Sequence, residues 1–411
     1  MKPSSLLKKA YLFRCARPPR SNVLSKYASA RRFLARLASR TFLTRLGTWF
    51  FSTLLETQSG SKLQSGKSCA KLGAGGADLD LLGCKILIAG CGAIGSVFGC
   101  LLRKAGYEVT LLGREWHLAA IRLNGLEMDG IWGRHRAEGF KLCTEAGNFT
   151  ELYDLILVAV KAYDTEKITR LLAPYLKPDG IAISLQNGLG NVETLAEKLG
   201  AGKSMGASIL VGAKIPEPGR VTVTVQAAPV IIGPLDPNVA GSMEKGRLWA
   251  SLFDQAGIPC EATEKILAHI WAKAFYNAPL NPLGAILQVH YGALGEEPQL
   301  RAIMDRIIDE AFEVAVRKGV MPLWSSADEY RKLFYRKLLP ATYNHQSSML
   351  QDLQRGRPTE INSLNGQIWR YGEQLGTHTP YNETMTRLML GREKRTAPPG
   401  PSLHSAIGRD P

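Results

Sequence analysis

An apolar run, a glycine turn and a helical pattern follow one another over residues 85–114. Short apolar runs then alternate with helical spacing to about residue 185, and from about Glu264 only helical periodicity remains. These three observations predict an α/β domain of the Rossmann type, with a parallel sheet and a dinucleotide-binding loop, followed by an all-α C-terminal domain.

Taken in order, residues 86–89 (ILIA) predict a buried strand. Gly90, Gly92 and Gly95 then complete G-x-G-x-x-G, and residues 94–104 carry helical apolar spacing. In this order the glycines have separate jobs: a turn with unusual backbone angles, bare backbone beside a pyrophosphate, and close helix–strand contact. Cys91 serves there as a small residue. The opening helix, through Ala93, Ile94 and Gly95, turns free N–H groups and its positive dipole end toward the phosphates. A second strand at 108–112 completes the βαβ unit and ends in Gly113-Arg114. An acidic residue there would hold the ribose 2′-OH of NAD; Arg114 suits a 2′-phosphate instead, which favours NADP(H). Glu115 keeps the other choice open, because one residue of register shift restores a carboxylate near the ribose.

Residues 154–160 (DLILVAV) and 180–185 (GIAISL) read as further buried strands, with a helical pattern at 164–175 between them, so the parallel sheet continues. Residues 204–211, 221–226 and 230–232 add β-rich pieces without intervening helices, consistent with an antiparallel edge. Helical periodicity follows over 264–278, 299–318, 342–354 and 359–375. The expected division is a basic leader and flexible linker over 1–83, an NADP-binding domain over 84–263, a helical substrate and catalytic domain over 264–392, and a disordered Pro-rich tail over 393–411.

Composition narrows the function class. The net charge of +15 is segregated: residues 1–55 hold twelve Lys or Arg and no acid before Glu56. No basic helix with interleaved aromatics stands out in the remainder, so nucleic-acid binding has little support. The leader is rich in Arg and Ser, with Arg32, Arg36 and Arg40 on one helical face, and resembles an organelle transit peptide. An upstream miscalled start explains it as well, so localisation stands as cytoplasmic, or mitochondrial or plastid if the leader directs import. No stretch reaches the roughly 18 apolar residues of a membrane span. Seven cysteines with no C-x-x-C pair argue against both a disulfide framework and a zinc site.

The helical part carries two motifs. HIWAKAFYNAPLNPLGAI places Lys273, Asn277 and Asn281 at i, i+4 and i+8, one face of a continuous helix. Pro279 and Pro282 should interrupt that helix and leave Asn281 at the break, free to point into a cleft. SSMLQDLQRGRPTEINSLNG offers Ser347, Ser348, Asp352 and Glu360.

With GCGAIG, VAVKAYDT, SLQNGLGN, WAKAFYNAPLNPLGAI and SSMLQDLQRGRPTEI in this order, residues 84–392 resemble the ketopantoate reductase (2-dehydropantoate 2-reductase) family. The resemblance implies a second domain like the C-terminal domain of 6-phosphogluconate dehydrogenase. It also implies Lys273 as general acid, and Asn277, Asn281 and Ser348 on the substrate's carboxylate and hydroxyl groups. Glu360 would stand at the junction of cofactor and substrate as a second catalytic group, Asn187 would touch both nicotinamide and substrate, and Lys161 would lie near the cofactor. Pro279 stands where the family pattern has a β-branched residue, and SILVGAKIPEPGRV lacks the usual Thr/His-containing run.

The chemistry agrees with that set. Hydride delivery to a ketone carbon builds charge on its oxygen, so a cation or proton donor must lie close by, and Lys273 is both. The reading is NADPH-dependent reduction of 2-dehydropantoate to pantoate, a step toward pantothenate. A different small 2-oxo acid on the same fold, or a nonenzymatic NADPH sensor, are the alternatives. A mostly helical second domain can also pair with a copy of itself, which leaves a homodimer open.

Overall fold

The computed structural model describes residues 83–147 and 149–396. The basic leader, the linker up to residue 82 and the tail from residue 397 lie outside the described residues.

In chain order the α/β part begins β1 (Lys85–Ala89), α1 (Ala93–Lys104), β2 (Glu108–Leu112), α2 (Glu115–Asn124), β3 (Leu126–Gly130), β4 (His135–Ala137), β5 (Lys141–Cys143) and β6 (Tyr153–Val158). It continues α3 (Thr165–Leu172), β7 (Leu176–Ser184), α4 (Asn191–Leu199), β8 (Ser204–Ser208), β9 (Val211–Glu217), β10 (Arg220–Gln226), β11 (Val230–Pro234), α5 (Ser242–Gln255) and β12 (Cys260–Ala262).

Eight strands form one sheet in the order β12-β11-β8-β7-β6-β1-β2-β5. All neighbours are parallel except β11 and β8. β1 has four successive buried residues because helices cover both faces, the usual cause of an unbroken apolar strand in a parallel sheet. The chain moves from β1 to β2 on one side and returns to β6 on the other, which opens a crevice at the carboxyl ends of β1 and β6. Register sharpens that edge, since Ala89 pairs with Val158, Val158 with Ser184 and Ser184 with Gly206. The glycine loop, Lys161, Asn187 and Ile209 therefore leave the sheet along one line.

The expected antiparallel edge is corrected in part. β8 joins the main sheet parallel to β7, and only β11 pairs with it antiparallel. β9 and β10 belong to a separate four-stranded sheet, β4-β3-β10-β9. Its inward residues Val221 and Val223 share one core with Leu101, Leu126 and Met128, so burial of a second apolar face pulls this hairpin away from the main sheet.

The helical part comprises α6 (Ile266–Leu287), α7 (Tyr291–Glu296), α8 (Pro298–Arg317), α9 (Ala327–Leu333), α10 (Ser348–Gln354), α11 (Asn365–Leu375) and α12 (Pro380–Thr396). Trp271, Phe275 and Ala278 of α6 are buried in its core. Contrary to the expectation from Pro279 and Pro282, α6 is continuous. Pro282 deprives the Ala278 carbonyl of its i+4 donor, and Asn365 Nδ2 supplies one at 3.1 Å. Asn365 is held by Asn382, and Asn382 by Glu310, all buried.

Other boundaries shift for local reasons. The helix expected over 342–354 begins only at Ser348, where the Ser347 hydroxyl caps it by accepting the Leu350 N–H at 3.0 Å. The carbonyls of Tyr343 and His345, just before it, accept from Gly292 and Tyr291 of α7. The pattern over 359–375 resolves into a 3₁₀ turn (Ile361–Ser363) and α11. Residues 393–396, expected in the disordered tail, continue α12. Among the described residues no helix is long and apolar enough to cross a membrane, and no cluster of three or more His, Cys, Asp or Glu could hold a metal ion.

Candidate active site

At the end of β1, Gly90 adopts φ +111°, and a Cβ there would stand 2.6 Å from the Val160 nitrogen. Gly95 presses the first turn of α1 onto the loop, since a Cβ on it would meet the Gly90 oxygen at 2.1 Å. Gly92, the N-cap of α1, differs: a Cβ on it would enter open space. The N–H groups of Ala93, Ile94 and Gly95 that follow have no backbone partner among the described residues. A bare glycine facing open space before three free donors fits a pyrophosphate. Cys91 is buried with Sγ 3.4 Å from the Ser96 hydroxyl, and burial pushes its thiol up to about 11, so it packs as a neutral residue. Arg114, the N-cap of α2 just beyond β2, is exposed. Glu115, the rival for the ribose, pairs with Arg122 at 2.9 Å along α2.

Beyond β6, Lys161 crosses to the helical part. Its Nζ donates to Asp352 Oδ2 at 2.7 Å and to Glu360 Oε2 at 3.3 Å. The other Glu360 oxygen accepts the Ala162 N–H at 3.0 Å. Burial disfavours the Lys161 ammonium, but Glu360 and then Asp352 outweigh it and hold the lysine above its ordinary value.

Lys273 sits mid-way along α6, with Nζ donating to Asn187 Oδ1 and to the Ile209 carbonyl, both at 2.6 Å. An ammonium has three protons, so one is left for an incoming oxygen. Burial lowers its pKa from 10.5 to about 8, opposed by the Glu360 carboxylate. Asn187, Gly188, Ser208, Lys273, Asn277 and Leu364 line a narrow cleft.

Three of the expected site residues, Asn187, Lys273 and Asn277, thus share one cleft. Glu360 and Lys161 meet beside it, and the Glu360 charge reaches Lys273. Two lie elsewhere. Asn281 is buried within the unbroken helix, its Oδ1 accepting from the Tyr291 hydroxyl at 2.5 Å, rather than freed by a break. Its amide protons make no bond to another described residue and remain for a ligand. Ser348 is exposed in the first turn of α10 and does not line this cleft. The sequence reading assigned no role to Asp352, the Ala162 N–H or the Ile209 carbonyl. For Asp352 a signal existed, since it lies one helical turn after Ser348; the two backbone groups have no sequence signature.

The family profile described as Ketopantoate reductase PanE/ApbA matches residues 86–237, and its C-terminal companion, Ketopantoate reductase PanE/ApbA C terminal, matches residues 265–393. The chain belongs to the ketopantoate reductase family. Among reductases of this name, that of Aquifex aeolicus is 38% identical over 309 residues, covering 75% of this chain and 97% of the relative. A solved PanE/ApbA family ketopantoate reductase from Ralstonia eutropha has a TM-score of 0.66 at 30% identity, over 76% of this chain and 99% of that one. A D-mandelate dehydrogenase solved with NADH and anilino(oxo)acetate has a TM-score of 0.67 at 26% identity, with the same 76% and 99% coverage. The ketopantoate reductase fold, an α/β domain followed by a helical one, is thus shared with solved proteins, and the chain is an oxidoreductase that uses a nicotinamide dinucleotide.

Proposed function

We propose that this protein reduces 2-dehydropantoate to pantoate with NADPH, the pantoate serving pantothenate synthesis, and that Lys273 is the general acid. The observation that carries the reading is the Lys273 ammonium, fixed by two 2.6 Å bonds with one N–H free at the cleft. In this reading residues 84–263 bind the dinucleotide and residues 264–392 present the acid.

A bound nicotinamide dinucleotide supplies the hydride that goes to the C2 carbon of the oxo acid. The protein supplies the rest. Gly90, Cys91, Gly92, Ala93, Ile94 and Gly95 hold the pyrophosphate, Arg114 meets the 2′-phosphate, and Lys161, Asn187 and Glu360 line the cofactor's reacting end. Lys273 donates its free proton to the ketone oxygen as hydride reaches carbon, and regains a proton from solvent. Asn277 hydrogen-bonds the substrate without adding charge, Asn281 keeps its amide protons for it, and Ser348, outside the cleft as it stands, would meet the substrate only if α10 shifts toward it. The site works in the cytoplasm unless the basic leader directs import, which a fluorescent fusion of residues 1–83 in a eukaryotic cell would reveal.

The fold shared with D-mandelate dehydrogenase supports a second reading, a different 2-oxo acid or NADH in place of NADPH. A panel of 2-oxo acids assayed with each cofactor separates the two. Best kcat/KM on 2-dehydropantoate with NADPH is expected. A better acid replaces the substrate, preference for NADH replaces the cofactor, and binding without turnover on any acid leaves a sensor.

A further inference from the structure

Asp352, Lys161, Glu360 and Lys273 form a row of alternating charge in which Lys161, just beyond β6, lies between two carboxylates of the helical part. Asp352 is the only one with no part in the reaction proposed above, on which this inference rests. It is nevertheless buried, and it takes the shorter of the two Lys161 bonds, 2.7 Å against 3.3 Å to Glu360. A buried carboxylate is costly unless paired, and this one is paired with a lysine 191 residues away.

We propose that Asp352 is a positioning residue: by sharing the Lys161 ammonium with Glu360 it weakens that lysine's neutralisation of Glu360, and so leaves more of the Glu360 charge to act on Lys273. Without Asp352, Lys161 has Glu360 as its sole acid partner, and the field that keeps Lys273 protonated weakens. The groups that face this row are few. Lys273 meets Asn187 and the Ile209 carbonyl from the α/β side and Glu360 from the helical side. His269, one turn earlier on α6, is pushed by burial to about 4 and is neutral. Tyr163 and Asp164 lie on the turn after Lys161, and Tyr163 senses Lys161, Asp164, Asp352 and Glu360.

The test is the alkaline limb of kcat/KM against pH, measured at saturating NADPH with whichever 2-oxo acid the wild type reduces. Asp352→Asn should move that limb down by about half a unit, and Lys161→Met should move it up by about as much, because they remove opposite charges from one pair. A purely structural ion pair would lose activity from either end without moving the limb. The double variant Lys161→Met/Asp352→Asn leaves no unpaired charge from this pair and should return the limb to the wild-type position. Single-variant limbs that stay fixed or move together, or a double-variant limb displaced by half a unit or more, overturn the proposal. A wild type that rejects 2-dehydropantoate but reduces another acid overturns the substrate reading alone; one inactive on every acid overturns both.

Discussion

Replacing Lys273 by methionine should make the protein more stable at neutral pH while removing its activity. The fall from 10.5 to about 8 means that the folded state disfavours the ammonium by about 3 kcal/mol. Methionine has similar length and no charge, so most of that cost disappears. Part returns because the Ile209 carbonyl loses its lysine donor, at about 1 kcal/mol; Asn187 is exposed, and water replaces its bond. The expected net gain at pH 7 is therefore about 2 kcal/mol, read from urea denaturation. The sign of the pH dependence follows from linkage. The folded pKa lies below the unfolded one, so between about 8 and 10.5 the unfolded chain binds more protons and wild-type stability rises with pH. The transfer cost that methionine escapes should thus fall to about half by pH 9.5. Turnover should drop at least about 100-fold, the scale of general acid catalysis. Wild-type kcat/KM should fall as pH rises through about 8, where Lys273 loses the proton it donates. A variant less stable than wild type at pH 7, or a stability difference that does not change between pH 7 and 9.5, would refute the claim that Lys273 is held charged at a cost.

Arg114→Ala should weaken NADPH binding by about ten-fold to a hundred-fold and leave NADH nearly unaffected, because a charge-assisted contact is worth about 1.5 to 3 kcal/mol; equal losses for both cofactors in a fluorescence titration would place Arg114 elsewhere. The two asparagines of α6 should separate. Asn277→Ala should raise KM about ten-fold with stability within about 0.5 kcal/mol, since among the described residues no hydrogen bond holds that cleft-lining side chain. Asn281→Ala should cost about 1 to 3 kcal/mol in denaturation, because the buried Tyr291 hydroxyl loses its acceptor. A stable Asn281→Ala protein would show that this bond is not needed.

What could be read in the chain was local. The loop from β1 to β2 is contiguous, its glycines answer to backbone angles and close approach at each position, and its strand and helix periods differ over a few residues. The long helices of the second part were legible for the same reason. Their ends were less so: Ser347 stops α10 from extending back through 342–347, and Asn365 satisfies the carbonyl that Pro282 leaves open within α6, from 87 residues away, which no local rule supplies. The second sheet escaped because β4 has only three residues and β3 pairs with β10, far along the chain.

By itself, then, the sequence determined the fold class, the dinucleotide loop and the residue types of an acid-catalysed reduction, because each rests on contiguous spacing. Only the tertiary structure decided which of those residues meet. It brings Lys161 to Asp352 and Glu360, and Lys273 to Asn187 and the Ile209 carbonyl, while turning Asn281 onto Tyr291 and leaving Ser348 on the surface of α10. It also lowers the pKa of Lys273 to about 8, since that value comes from burial between segments distant in the chain. Spacing along a helix names a face; what the face meets depends on the elements packed against it.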